Sequence, residues 1–119
     1  MRIGLISDIH GNLAALNVVL SALHNLGADR ICCLGDTVGY GPYPNECIDR
    51  VREHCVVILK GNHDSGLTGE TEIEDFNQYG LAALLWSRDR VTPENHEFLR
   101  SLPAVDPRPP GGGGSPPRE

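Results

Sequence analysis

The sequence lacks a long apolar segment and a cluster of basic residues. Its opening apolar run, Ile3 to Ile6, is far shorter than a signal-peptide core or a membrane span. Lys and Arg are scattered, and the formal net charge is −6. Because proteins that bind the nucleic-acid backbone need clustered basic side chains, we expect no stable nucleic-acid binding. We also expect no membrane association and a cytoplasmic location.

The four cysteines include no Cys-x-x-Cys pair. Such spacing is unlike that of a zinc knot or a thioredoxin-like motif. Cys32 and Cys33 lie inside an apolar run, where we expect them to act as small, reduced hydrophobic residues.

Length and composition indicate one globular domain. The chain has 119 residues, of which 39% are apolar and 22% charged, enough for one hydrophobic core. We place the domain at residues 1–102 and expect residues 103–119, which are rich in Pro and Gly, to form a disordered tail or linker. The run Gly111 to Gly114 resembles an engineered spacer or a misread end, so no fold prediction depends on it.

Three short apolar runs predict buried parallel strands. Arg2 to Ser7, Arg30 to Leu34 and Val56 to Leu59 are apolar runs that do not alternate with polar residues. Helical patterns separate them, at Leu13 to Leu26 and at Asn45 to Cys55. This alternation predicts an α/β fold with a parallel sheet and flanking helices.

Further helices are predicted after the third strand. Ile73 to Trp86 has apolar residues at helical spacing, and a shorter helix should run from an N-cap at Thr92 to Leu102. Asn12 is placed to cap the helix after the first strand. The aromatic residues Phe76, Tyr79 and Trp86 are interpreted as core residues, whereas Tyr40 and Tyr43 could border a pocket.

Polar side chains follow each predicted strand. Asp8 and His10 come after the first, Asp36 after the second, and Asn62-His63-Asp64 after the third. Because the carboxyl ends of parallel strands open onto one crevice, we expect these side chains to share a pocket. Carboxylate and imidazole donors without thiolate suit manganese, iron or zinc, while magnesium prefers an all-oxygen set. A bridging Asp36 would allow two ions to generate a metal-bound hydroxide.

Each of these residues also has an ordinary structural explanation. Asp8 can cap the following helix, Gly35-Asp36 is a common turn pair, and Asn62-His63 fits a turn. A dinucleotide-binding sheet has the same alternation of strands and helices, but this chain has no Gly-x-Gly-x-x-Gly turn after the first strand. Because potential metal ligands follow all three predicted strands, we favour the metal site.

The motifs resemble those of calcineurin-like metallophosphoesterases. Asp8-x-His10, Gly35-Asp36 and Gly61-Asn62-His63-Asp64 look like the first three motifs of that family. The sequence of residues 1 to about 102 is similar to those of a bacterial and archaeal subgroup of small phosphatases and phosphodiesterases. The resemblance implies the N-terminal part of the family's α/β sandwich, and we expect the domain to be truncated.

The resemblance also implies an activity, which is metal-dependent hydrolysis of phosphomonoesters or phosphodiesters at a dinuclear site. Two divalent ions are expected, manganese first, with iron, zinc, nickel or magnesium as alternatives. The implied metal ligands are Asp8, His10, Asp36 and Asn62. The first two would hold one ion, the third would bridge both ions and the fourth would hold the second ion. His63 would face the phosphate as the catalytic residue, with Asp64 orienting it.

The chain departs from the family pattern in its later histidines. Family members continue with an isolated histidine and a Gly-His-x-His motif that complete both metal spheres, and this sequence has neither. His96 lies in a predicted helix, where we expect a surface residue rather than a ligand. The second ion should therefore bind weakly.

A shortened domain also leaves apolar sheet surface uncovered, which favours self-association. The alternative to an enzyme is a catalytically incomplete half-domain. Such a half-domain would bind one metal or a phosphate ligand, or would pair with another chain.

Overall fold

A parallel sheet of three strands organises the protein. The computed structural model describes residues 1–70 and 76–104. The strands are β1 (Ile3–Ile6), β2 (Arg30–Cys33) and β3 (Val57–Ile58), paired in the order β1-β2-β3. Parallel pairing with flanking helices confirms the predicted α/β fold class, although each strand is shorter than its apolar run.

Five helices accompany the sheet in the part of the chain that the structure describes. They are α1 (Leu13–Asn25), α2 (Pro44–His54), α3 (Asn62–Thr68), α4 (Gln78–Arg90) and α5 (Pro93–Ser101). Asn12 caps α1 as predicted, since its side chain accepts a hydrogen bond from the amide of Ala15 at 3.1 Å. Thr92 caps α5 in the same way, with the Asn95 amide donating at 3.2 Å.

Parts of two predictions lie outside the described residues. The start of the helix predicted from Ile73 falls in residues 71–75, and most of the predicted tail falls in residues 105–119. Among the described residues, α4 begins after Asn77, whose side chain accepts from the Gly80 amide at 2.7 Å. The carbonyl of Pro103 accepts a hydrogen bond from the Lys60 amide at 2.8 Å. The domain boundary at residue 102 stays a prediction.

The first core cluster lies between the sheet and helices α1 and α2. Ile6 and Cys33 are paired in the sheet and point to the same face. They pack with Leu16 and Leu20 of α1 and with Val51 of α2. Cys33 is fully buried and unpaired, as expected for a small reduced hydrophobic residue.

The opposite face of the sheet is uncovered in the described part of the chain. Leu5, Cys32 and Val57 are aligned across the three strands. Leu5 is 64% exposed and Val57 is 45% exposed, while Cys32 is half-buried. We call this row, with Ile3 beside it, the open face. The prediction of buried strands therefore holds on one side only, and the expected uncovered apolar surface is present.

A second core cluster lies among α2, α3, α4 and α5. Its fully buried members include Val38, Ile48, Leu67, Leu84 and Leu99. This cluster packs the chain that follows β3 against the loop that follows β2. It thereby supports the loop that carries Asp36.

Two aromatic residues predicted for the core lie at the surface. Tyr79 is 73% exposed and Trp86 is 40% exposed, so that prediction was wrong for both. The buried stripe of α4 runs instead through Gly80, Leu84 and Ser87, at a spacing of about one helical turn, which turns Tyr79 and Trp86 away from it.

His96 is half-buried, so the prediction of a surface residue holds only in part. Its Nε2 atom lies 3.0 Å from the carbonyl oxygen of Arg88. This contact ties α5 to α4. None of the described helices is long and apolar enough to cross a membrane.

Candidate metal centre

The loops after β1 and β2 are joined by backbone hydrogen bonds. The pairs are Asp8 N–H to Gly35 O at 3.1 Å, His10 N–H to Asp36 O at 2.9 Å, and Gly11 N–H to Thr37 O at 2.9 Å. These bonds continue the parallel association of the strands past the sheet's carboxyl edge. They bring the first two motifs together.

Three of the predicted ligands converge there. One potential ligand atom from each of Asp8, His10 and Asp36 lies within 4.8 Å of the others. The Nε2 atom of His10 lies 3.5 Å from a carboxylate oxygen of Asp8. Two carboxylates and an imidazole at this separation fit a divalent cation of the manganese, iron or zinc type.

The same three residues have an unusual backbone conformation. Their φ angles are 57° for Asp8, 51° for His10 and 58° for Asp36, in the left-handed region that side chains disfavour. Conformations of this kind cost free energy and concentrate at functional sites. The backbone bonds between the two loops hold them in place, which indicates that the arrangement of donors is imposed by the fold.

The orientation of the His10 ring is fixed by its second nitrogen. Nδ1 lies 3.0 Å from the carbonyl oxygen of Val38, so Nδ1 carries the proton and donates it. This leaves Nε2 as the atom with a free lone pair. Metal-binding histidines are commonly fixed through such a hydrogen bond from the other ring nitrogen.

Asp64 connects the third motif to the second through its carboxylate. The side chain is fully buried and accepts hydrogen bonds from four backbone amides, those of Asp36, Thr37, Val38 and Gly61. Burial raises the pKa of this carboxyl to about 6, against the hydrogen bonds from Gly61 and Val38, which lower it. The described contacts of Asp64 are thus with backbone rather than with the His63 ring.

Asp36 and the third loop also touch directly. The His63 amide donates to Asp36 Oδ1 at 2.9 Å. A Cβ atom at Gly61 would lie 2.2 Å from that same oxygen, so only glycine fits at this point. Asn62 stands next to it, exposed, as the first residue of α3.

The His63 ring lies in an aromatic group. Its centroid is 4.6 Å from that of His10, 4.7 Å from Phe76 and 5.3 Å from Tyr40. Its Nδ1 atom is buried without a hydrogen-bond partner. Burial lowers the pKa of His63, whereas the nearby carboxylate of Asp36 raises it.

A cavity of about 610 Å³ opens beside the candidate ligands. Asp8 and His10 line one part of it, and Tyr40 and Tyr43 line another. The prediction that the two tyrosines border the pocket is confirmed.

Several supporting groups could not be assigned from the sequence. The Val38 carbonyl is a backbone atom in an apolar stretch, and Phe76 was interpreted as core although its ring lies against His63. Phe76 also packs, partly buried, against the second core cluster, so its two contacts become visible only in the folded chain. Gly61 offered the one sequence signal, because a glycine beside a polar motif indicates close approach.

Known proteins match this fold and these motifs. The family model for calcineurin-like phosphoesterases matches residues 1–113. An uncharacterized protein of Methanocaldococcus jannaschii is 48% identical over 103 residues, which cover 87% of this chain and 42% of that protein. Phosphodiesterase YfcE of Escherichia coli K12 is 35% identical over 75 residues, covering 55% of this chain and 41% of YfcE.

A solved structure is similar over nearly the whole chain. The crystal structure of a metallophosphoesterase from Sphaerobacter thermophilus superposes with a TM-score of 0.71 at 40% sequence identity. The match covers 91% of this chain and 44% of that structure. The chain therefore spans less than half the length of the relatives it matches.

Proposed function

Since the chain belongs to the calcineurin-like phosphoesterase family, we propose that it carries the metal-binding part of a metal-dependent phosphoester hydrolase. The reaction would be hydrolysis of a phosphomonoester or phosphodiester. The observation that carries the proposal is the convergence of Asp8, His10 and Asp36, whose potential ligand atoms lie within 4.8 Å of one another.

The donors favour manganese as the first ion, with iron, zinc, nickel and magnesium as alternatives. Asp8, His10 and Asp36 would hold this ion. A second ion would share Asp36 and be bound by Asn62, more weakly because fewer side chains face it. A bound divalent ion supplies positive charge that polarises a phosphoryl oxygen and promotes deprotonation of water.

His63 would act on the phosphate and Asp64 would position the site. The His63 ring stands beside that of His10, with centroids 4.6 Å apart. Because its Nδ1 atom is buried, we assign contact with the leaving-group oxygen to Nε2, where a protonated imidazole would donate its proton. Asp64 would act as a positioning residue, because its carboxylate accepts hydrogen bonds from the backbone amides of Asp36 and Gly61.

The open face favours a second candidate function. Leu5 and Val57 expose apolar side chains in register on a sheet, and such surfaces usually mark association sites. In this alternative the chain is a catalytically incomplete half-domain that binds one metal or a phosphate ligand, or that pairs with another chain supplying further ligands. The match covers 42% of the Methanocaldococcus jannaschii protein and 44% of the Sphaerobacter thermophilus structure.

The test is manganese binding by calorimetry, together with hydrolysis of a chromogenic phosphodiester on the same samples. Asp36→Asn should weaken manganese binding at least about tenfold, because it removes the charge of a shared ligand. Asp49→Asn is the matched control, an exposed carboxylate on α2. Binding without hydrolysis would favour the half-domain. Absence of manganese binding by the unmodified chain would contradict the hydrolase and the metal-binding form of the half-domain.

A further inference from the structure

The cavity beside the candidate metal site has a wall that the proposed hydrolysis does not use. Its volume of about 610 Å³ is in the range of small-molecule sites. Beyond Asp8 and His10, the lining includes one further polar side chain, Asn12, and the larger side chains of Ile9, Leu13, Tyr40, Pro42 and Tyr43. The wall away from the ligands is thus mostly apolar and aromatic.

The two tyrosines present their rings to solvent while their backbone is held in place. Tyr40 is 49% exposed and Tyr43 is 48% exposed. The Tyr43 amide donates to Gly11 O at 3.1 Å, and its carbonyl accepts from the Cys47 amide at 3.1 Å. These contacts anchor Tyr43 at the start of α2 and beside the first loop.

Tyr40 is held by the site itself. Its ring stands edge-on to that of His10, with centroids 5.3 Å apart and an interplanar angle of 89°. Its φ of 67° lies in the left-handed region, so the loop fixes its direction at a cost in free energy. A Cβ atom at Gly80 would lie 2.9 Å from its hydroxyl, which shows how closely the ring tip approaches α4.

Charge limits what this wall can bind. The described residues that line the cavity include no Lys or Arg, and Asp8 contributes a carboxylate. A second phosphate in the cavity would therefore find no cationic partner away from the metal. An uncharged planar ring, in contrast, can pack against exposed tyrosine rings.

We propose that this cavity binds the aromatic group of a phosphoester whose phosphate lies at Asp8, His10 and Asp36. The preferred substrates are then aryl or nucleoside phosphoesters rather than alkyl ones. This inference rests on the proposed function, because the metal site must hold the phosphate.

Binding of phosphonates to the manganese-loaded chain tests the inference without turnover. Phenylphosphonate and methylphosphonate carry the same anionic group and differ only in the ring, so their ratio of dissociation constants isolates the cavity. We expect phenylphosphonate to bind at least about fivefold more tightly than methylphosphonate, because its ring packs against the tyrosine rings. Comparing the dissociation constants of adenosine monophosphate and ribose 5-phosphate shows whether the cavity prefers a nucleobase as well as a simple aryl group.

Substitutions of Tyr43 test whether its ring causes the preference for phenylphosphonate. Tyr43→Ala should bring the two phosphonates to within about twofold of each other, and Tyr43→Phe should keep the preference, since the ring remains. Tyr79→Ala is the control, because Tyr79 is also an exposed tyrosine and lies on α4. Equal affinity of the unmodified chain for both phosphonates, or a preference that survives Tyr43→Ala, would overturn the cavity assignment. Failure of both phosphonates to bind would instead contradict the proposed function.

Discussion

The backbone amide of His63 donates a hydrogen bond to Oδ1 of Asp36, with 2.9 Å between the two atoms. Through this bond, the third motif orients the carboxylate of the second. The other structural support comes from Asp64, which accepts from the Asp36 amide at 2.9 Å. The two residues that follow Asn62 therefore hold both the backbone and the side chain of Asp36.

Gly61→Ala should displace Asp36 and weaken manganese binding by about tenfold or more. The backbone of Gly61 has φ −89° and ψ 177°, which alanine adopts without strain. The added methyl group would nevertheless lie 2.2 Å from Asp36 Oδ1, so the carboxylate must move. Calorimetric titration with manganese measures the effect, and circular dichroism checks that the fold is retained.

Gly69→Ala is the control for this substitution. Gly69 follows α3 with φ 85°, and a Cβ atom there would meet nothing within 4 Å. We expect a stability loss of about 1 kcal/mol from the left-handed conformation and unchanged affinity for manganese. Equal affinity losses in the two variants would show that Gly61 acts through general stability and not through Asp36.

Asp64→Asn should destabilise the domain by about 2–3 kcal/mol. The buried carboxylate accepts from four backbone amides, and an amide side chain would turn an NH₂ group toward some of these donors. Urea denaturation near neutral pH measures the loss, above the pKa of about 6 that burial gives this carboxyl. Asp49→Asn, at an exposed position on α2, should stay within about 0.5 kcal/mol of the unmodified chain.

The succession β1, α1, β2, α2 and β3 along the chain could be predicted because the signals are local, whereas α3 was not predicted. Apolar runs rich in Ile, Val and Leu indicated β1, β2 and β3, and their separation indicated the parallel connections. The carboxyl edge of a parallel sheet then brings the polar residues together. The convergence of Asp8, His10 and Asp36 follows from this rule, although their binding of metal stays a prediction.

The burial of individual side chains was harder to predict, because it depends on packing partners. Leu5 and Val57 have the residue types of a buried strand, yet no described element covers their face. Tyr79 and Trp86 occupy helical positions that the core does not use, while Phe76, outside the helix, contacts His63. The amide contacts of Asp64 also depend on how two loops meet, which no spacing in the sequence encodes.

Cys47 and Cys55 should resist alkylation in the folded chain. Burial raises the pKa of both thiols to about 12, so only about one thiol in ten thousand is ionised near pH 8. Cys32 is half-buried on the open face and should react first. Mass spectrometry after brief iodoacetamide treatment gives the order, with a urea-unfolded sample as control. Labelling of Cys47 as fast as Cys32 would contradict the buried core described here.

Leu5→Lys should weaken self-association if the open face is the contact surface. Leu5 is 64% exposed in the row that it forms with Cys32 and Val57, and a lysine there would have to lose its hydration on contact. We expect the unmodified chain to sediment above its monomer mass of 12.9 kDa. The substitution should raise the dissociation constant at least about tenfold.

Val18→Lys separates the open face from general apolar exposure, because Val18 is 69% exposed on α1. This control should leave the sedimentation profile unchanged. If a second copy also completes the metal site, Leu5→Lys should lower manganese affinity together with association, although Leu5 is not among the candidate ligands. An unmodified chain that is monomeric at every concentration would contradict self-association, and the metal site would then depend on this chain's own donors alone.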